Sequence, residues 1–225
     1  MNAPAASTVS VRVWDAPTRL FHWALTLLIA LQYATGEYHL LAMRWHYWFG
    51  YATLALILFR ALWGFAGSQA SRFADFVCGP GTVVRYVRMQ FSTNPQRSIG
   101  HNPLGGWSVM TLLLCVAAQA VSGLFASDEI DNEGPLVAQV SSKTMKWMTW
   151  LHDWNQNLLL ALIVLHVIAV LLYLVRRHEN LIVPMISGRK ELADARPLRF
   201  VSSWRALALL ALSGIAVAAL LWLGR

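Results

Sequence analysis

The sequence predicts an all-α membrane protein, and three observations carry that prediction. Of its 225 residues, 57% are hydrophobic and only 13% are charged, where a soluble domain would carry about 25% charged residues. The apolar residues fall in five long blocks, at about 20–38, 46–66, 104–126, 149–175 and 204–223. Each is close to or above the ~20 residues with which a helix crosses a bilayer. The basic residues gather on alternate connections between those blocks.

Taken in order, residues 1–19 lack the basic leader, apolar core and small-residue cleavage site of a signal peptide, and they read as a cytoplasmic tail. Residues 20–190 form the core. Its first block opens in "RLFHWAL" and its second in "RWHYWFG". The connection 67–103 is long, and within it "GPGTVVRYVRMQF" (79–91) sets valines against arginines, a pattern suited to a short interfacial helix. In "GHNPLGGW" (100–107), Asn102 is placed to cap the third block and Pro103 to open it. The acidic loop "SDEIDNEG" (127–134) precedes the fourth block, and Pro184 breaks any long helix in "RRHENLIVPMISGRK" (176–190). Residues 191–225 are a linker and a fifth span, which has neither histidine nor acid and reads as peripheral and lipid-facing.

Orientation follows from the excess of Lys and Arg on cytoplasmic loops. With the N-terminus inside, only Arg44, Lys143, Lys146 and Arg225 fall outside, leaving fourteen of the 18 basic residues inside, Arg97 and Arg196 among them. The prediction is N-in and C-out, in a bacterial inner membrane. Topology thus accounts for the net charge of +7, and no nucleic-acid partner is implied. Cys78 and Cys115 lie far apart, one in a loop and one in a block, which points to neither a disulfide framework nor a CxxC metal site.

Four of the seven histidines sort by depth. His22 opens the first block near the inner face, and His46 opens the second near the outer face. His152 opens the fourth near the outer face, with His166 fourteen residues further in. Fourteen residues fall about 40° short of four full turns and rise roughly 21 Å, so one helix presents two imidazoles to one interior near opposite membrane faces. Depth pairs His22 with His166 and His46 with His152. Imidazole is a usual axial ligand of haem iron, and ionisable groups within a membrane mark function. Two haems, each held between the fourth helix and another, satisfy the arrangement. No CxxCH attachment motif is present, so the haem expected is non-covalent haem b.

The same interval recurs elsewhere. Gly36 follows His22 by fourteen residues, Gly64 follows Gly50 by fourteen, and Arg60 follows His46 by fourteen. A helix passing a flat porphyrin needs positions without side chains. Gly36 is therefore expected at the outer level, Gly50 and Gly64 at both levels of the second helix, and Arg60 beside the inner propionates. His39, His101 and His178 lie in connections and do not pair.

The stretches "RVWDAPTRLFHW", "RWHYWFGYATLALILFRALWGFAG", "GHNPLGGW", "LHDW" with "LHV", and "RHENLIVPMISGRK" resemble the prokaryotic cytochrome b561 family over roughly residues 11–190. That family includes the b-type cytochrome subunits of nickel–iron hydrogenases. The resemblance implies a four-helix core with two b-type haems and axial ligands at His22, His46, His152 and His166. It also implies electron transfer between a periplasmic partner, a hydrogenase subunit or c-type cytochrome, and the quinone pool. With both axial positions filled by histidine, neither iron keeps a site open for substrate, which favours an electron-transfer subunit over an independent enzyme. The alternatives are a stand-alone quinone-linked oxidoreductase of superoxide or ferric iron, and a haem-free anchor or transporter relaying protons. No intramembrane carboxylate chain accompanies the histidines to serve such a relay.

Overall fold

The computed structural model describes residues 9–90, 98–192 and 198–224. Arg97, Arg196, Arg225, Phe91 and the first eight residues of the tail lie outside these. A short strand β1 (Val9–Arg12) precedes helix α1 (Ala16–Gly36) and helix α2 (Met43–Ala66). Short helices α3 (Phe73–Phe76) and α4 (Pro80–Gln90) follow, then the long helices α5 (Pro103–Gly123) and α6 (Ser142–Arg177). A short helix α7 (Ile182–Ser187) and strand β2 (Arg189–Leu192) lead to the last helix, α8 (Ser203–Leu223).

Side-chain caps fix where the long helices begin. Asp15 Oδ1 accepts from the Thr18 amide at 2.8 Å, and Asn102 Oδ1 from the Gly105 amide at 2.7 Å, with Pro103 in the first turn. Ser141 Oγ accepts from the Thr144 amide at 3.2 Å, which starts α6 several residues before the apolar block at 149. Hydropathy cannot see a polar first turn. At 36 residues, α6 runs about 54 Å, longer than the ~30 Å hydrocarbon core.

Among the described residues, four helices are long and apolar enough to cross a membrane: α2, α5, α6 and α8. The five expected crossings thus include one, α1, that composition alone does not support. Its polar residues are occupied by neighbouring helices. Gln32 Nε2 donates to Thr53 Oγ1 at 2.9 Å, and the Tyr33 hydroxyl donates to the Gln156 carbonyl of α6. The bundle's large apolar side chains face outward: Leu165, Val175 and Ile215 are 61%, 69% and 67% exposed. That is an exterior made for lipid.

The long helices pack as two hairpins, α1 with α2 and α5 with α6, joined where α2 meets α5. Among the described elements, α6 packs extensively on α5 alone. The other hairpin is therefore held off from α6, leaving an interior seam. The fifth long helix, α8, lies against α2 with Ala206, Ser213 and Val217 buried, while Leu207, Ile215 and Trp222 face out. Ala206 joins Phe21, Phe59 and Trp63 in one buried cluster.

Among the described residues, a two-stranded ribbon departs from the all-α plan. β1 and β2 pair antiparallel, Val9 opposite Leu192 and Arg12 opposite Arg189. Gly188, at φ +81°, turns the chain from α7 into β2 and accepts from the Val13 and Trp14 amides. Arg19 Nη1 donates to the Ile186 carbonyl, and Trp23 Nε1 donates to the Met185 carbonyl at 3.2 Å. Residues 9–15 are thus built into this end of the bundle rather than hanging from it as a tail. Lys190 Nζ also reaches Glu179 at 2.6 Å and the Ser98 carbonyl at 2.8 Å.

Candidate functional site

The seam between the hairpins holds two facing imidazoles at the end away from the ribbon. His46, in the first turn of α2, and His152, on α6, have ring centroids 6.4 Å apart and planes at 79°. Nδ1 of His46 lies 3.2 Å from the Gln32 carbonyl oxygen and 3.1 Å from Thr35 Oγ1. Nδ1 of His152 lies 3.0 Å from the Gln119 carbonyl oxygen and 3.2 Å from Ser122 Oγ. A carbonyl only accepts, so each Nδ1 carries the ring proton and each Nε2 keeps its lone pair. Histidines that ligate metals have this support, the other ring N–H being given to a backbone carbonyl. Two imidazoles meeting one metal through bonds of about 2 Å need ring centres roughly 6–7 Å apart, and the observed separation satisfies that. A cleft opens beside the pair, lined by Gln32, Gly36, His46, Gln119, His152 and Gln156.

At the ribbon end, His22 on α1 and His166 on α6 are electrostatic neighbours. His22 packs edge-on against Trp23, with ring centroids 4.9 Å apart. Five buried nitrogens here have no hydrogen-bond partner among the described residues: Arg19 Nε, His22 Nδ1, Arg60 Nη1, Trp63 Nε1 and His101 Nδ1. Arg60 is only 3% exposed, and its guanidinium lies 5.0 Å from the Phe73 ring centroid and 5.9 Å from that of Phe76. A guanidinium this buried wants an anionic partner, and donors left open in this way suit carboxylates such as haem propionates. His101 sits between the Trp14 and Phe76 rings, at 4.7 and 4.6 Å between centroids. Burial holds its imidazole neutral, its pKa pushed down to about 3, with the Arg60 and His166 charges adding to the effect.

The glycines divide. Gly36 lies at the His46 level, where an added Cβ would stand 2.8 Å from the His46 ring itself. Gly50 is open, its nearest neighbour being Gln32 Oε1 at 3.9 Å. Gly64 is covered by the Phe73 ring, which any Cβ would strike. His39 and His178 both have left-handed backbone at φ 48°, and His178 ends α6 as its C-cap. Sequence reasoning passed over Gly123, whose Cβ would stand 2.8 Å from the His152 ring. It also passed over Gln32, Thr35, Gln119 and Ser122. A signal existed: "QYATG" (32–36) and "QAVSG" (119–123) are the same pattern, Gln-x-x-Thr/Ser-Gly, at the ends of two helices.

Fold and site together define a multi-pass membrane protein with histidine pairs set into an interior seam. Residues 13–188 match the model of the prokaryotic cytochrome b561 family, and the chain belongs to that family. It is accordingly a membrane b-type cytochrome of electron transport. Among curated proteins it is similar to the "Probable Ni/Fe-hydrogenase B-type cytochrome subunit" of Bradyrhizobium diazoefficiens. The two are 25% identical over 225 positions, covering 84% of this chain and 90% of that protein. No solved structure matches.

Proposed function

We propose that the chain is a dihaem cytochrome that carries electrons across the inner membrane between a periplasmic redox partner and the quinone pool. The observation that carries this reading is the facing pair His46 and His152 at 6.4 Å, each with Nδ1 engaged by a backbone carbonyl. His166 lies fourteen residues beyond His152 on the same helix and neighbours His22, which supports a second site of the same kind. Haem b bound between such pairs supplies one-electron exchange between ferrous and ferric iron. His46 with His152, and His22 with His166, would hold the two haems and leave no position for exchangeable ligands. Arg60 and His101 offer the open donors at the inner level. Gly36 and Gly123 keep side chains from pushing the outer imidazoles out of line. The hydrogenase-cytochrome relative favours a hydrogenase subunit as partner, with a c-type cytochrome the other candidate.

The purified chain is expected to give two haems by pyridine haemochrome assay, both removed by acid–acetone. His46→Ala and His152→Ala should delete one and the same haem, and His22→Ala and His166→Ala the other. A stoichiometry near one, or His22→Ala and His152→Ala sharing a phenotype, would contradict the reading. Co-purification identifies the partner: a hydrogenase subunit, a c-type cytochrome, or none for a stand-alone oxidoreductase.

A further inference from the structure

His46 and His152 are held by one device written twice. At the end of α1, "QYATG" offers the Gln32 carbonyl and the Thr35 hydroxyl to His46 Nδ1 and presents bare backbone at Gly36 to the ring face. At the end of α5, "QAVSG" offers the Gln119 carbonyl, the Ser122 hydroxyl and Gly123 to His152 in the same order. The hydroxyl protons are committed elsewhere. Thr35 Oγ1 donates to the Leu31 carbonyl at 2.8 Å, and Ser122 Oγ to the Gln119 carbonyl at 3.1 Å. Each hydroxyl therefore has only a lone pair to give, and each Nδ1–H is shared between a carbonyl and a hydroxyl oxygen.

The glutamine side chains lock each cradle to the helix that bears its histidine. Gln32 Nε2 donates to Thr53 Oγ1 on α2 at 2.9 Å. Gln119 Nε2 donates to the His152 carbonyl at 3.0 Å, and its Oε1 accepts from Asn155 Nδ2 at 2.7 Å. Each hairpin thus carries its own seat for its own histidine: α1 seats α2, and α5 seats α6.

We infer that Gln32, Thr35 and Gly36, with Gln119, Ser122 and Gly123, are twin positioning sets that fix the outer imidazoles near perpendicular and set the electron-donating strength of both Nε2 atoms. The inference rests on the dihaem reading. Accepting the Nδ1 proton pushes electron density toward Nε2, raising the ligand's basicity and favouring the ferric state. Loss of one acceptor should then raise the midpoint potential of the outer haem and leave the inner one unmoved. The glycines act through space instead. At 2.8 Å from each ring, a methyl group forces the imidazole to tilt or retreat.

The test uses the full-length chain in detergent, with haem content, redox-resolved optical titration and low-temperature EPR of the oxidised protein. The outer haem is identified as the one absent from His46→Ala. Thr35→Val and Ser122→Ala should each keep two haems and raise the outer potential alone, and Thr35→Ser should restore it. Gly36→Ala and Gly123→Ala should change the EPR anisotropy of the outer haem, which reports the angle between axial rings, or deplete that haem selectively. If either glycine variant fails to accumulate, the hydroxyl variants decide. Unchanged outer potential and EPR signal in these variants, with wild type holding two haems, overturns the inference while the dihaem reading stands. Equal shifts in both haems would show a general packing effect and overturn it too. A wild-type chain that binds no haem, or a single one, defeats the dihaem reading and the inference with it.

Discussion

Arg60 is a buried charge set against aromatic rings, with Asp15 as its acidic neighbour. Its guanidinium stacks over Phe73 and Phe76, and Phe73 is there because Gly64, one turn further along α2, leaves the space. The glycine thus serves the arginine through the phenylalanine. Gly64→Leu must eject Phe73, uncover Arg60 and strain the packing of α3 on α2, an overpacking cost of about 1–3 kcal/mol or more. The variant is expected to unfold at lower temperature in detergent. Gly50→Ala, whose Cβ finds nothing closer than 3.9 Å, is expected to be neutral or slightly stabilising, since alanine is the better helix former. Equal melting of wild type and Gly64→Leu would mean that Phe73 moves aside at no cost. The interval of fourteen from Gly50 to Gly64 made the two look equivalent in the sequence. Only the position of Phe73, brought in by the turn after α2, tells them apart, and no local pattern encodes that.

At the scale of the element, helix starts were legible and helix partners were not. Asn102 and Pro103 announce α5 in the sequence and open it in the structure. Asp15 caps α1 while 2% exposed, and its charge lies near Arg60. Two substitutions separate the roles. Asp15→Asn retains a side-chain oxygen for the Thr18 amide and removes the charge, whereas Asp15→Ala removes both. Losing a cap costs about 0.5–2 kcal/mol, so Asp15→Ala should melt below Asp15→Asn, and any gap between Asp15→Asn and wild type measures the charge. The ribbon of β1 and β2 escaped notice because four-residue strands give too short a run for periodicity to register. The acidic loop shows the same limit. The sequence shows only its acids, yet Asp128 accepts from the amides of Ile130, Asp131 and Asn132 and from the Asn132 side chain. Those bonds hold its carboxyl down to about 2. Asp128 therefore stays charged, and Glu129 faces Lys146 at 3.6 Å, so the loop's charge not offset by an ion pair rests with Asp128, Asp131 and Glu133.

For the whole molecule, a family of depth relations was legible and its tertiary support was not. Fourteen-residue spacing sets His152 and His166 at two levels from helix geometry alone, but seating His46 on α1 and His152 on α5 depends on which helices pair. The same holds for direction across the membrane, where the chain's charge distribution makes a testable statement. The ribbon brings residues 9–12 and 189–192 to one end of the bundle, beside Arg12, Arg19, Arg72, Arg189 and Lys190. The opposite end holds Glu37, Asp128 and Glu133, with Arg44, Lys143 and Lys146 as its cations. Basic connections stay on the cytoplasmic side, so the ribbon end should face the cytoplasm. With α1 crossing as well, α8 should end in the periplasm. Alkaline phosphatase fused after Arg225 or within residues 128–133 should be active, whereas fusion after Gly188 or at the N-terminus should be silent. Fluorescent-protein fusions, which mature only in the cytoplasm, should give the complementary pattern. Activity at Gly188 with silence in the 128–133 loop would invert the molecule. The His46 and His152 level would then lie toward the cytoplasm, and a periplasmic partner would have to meet the His22 and His166 level instead.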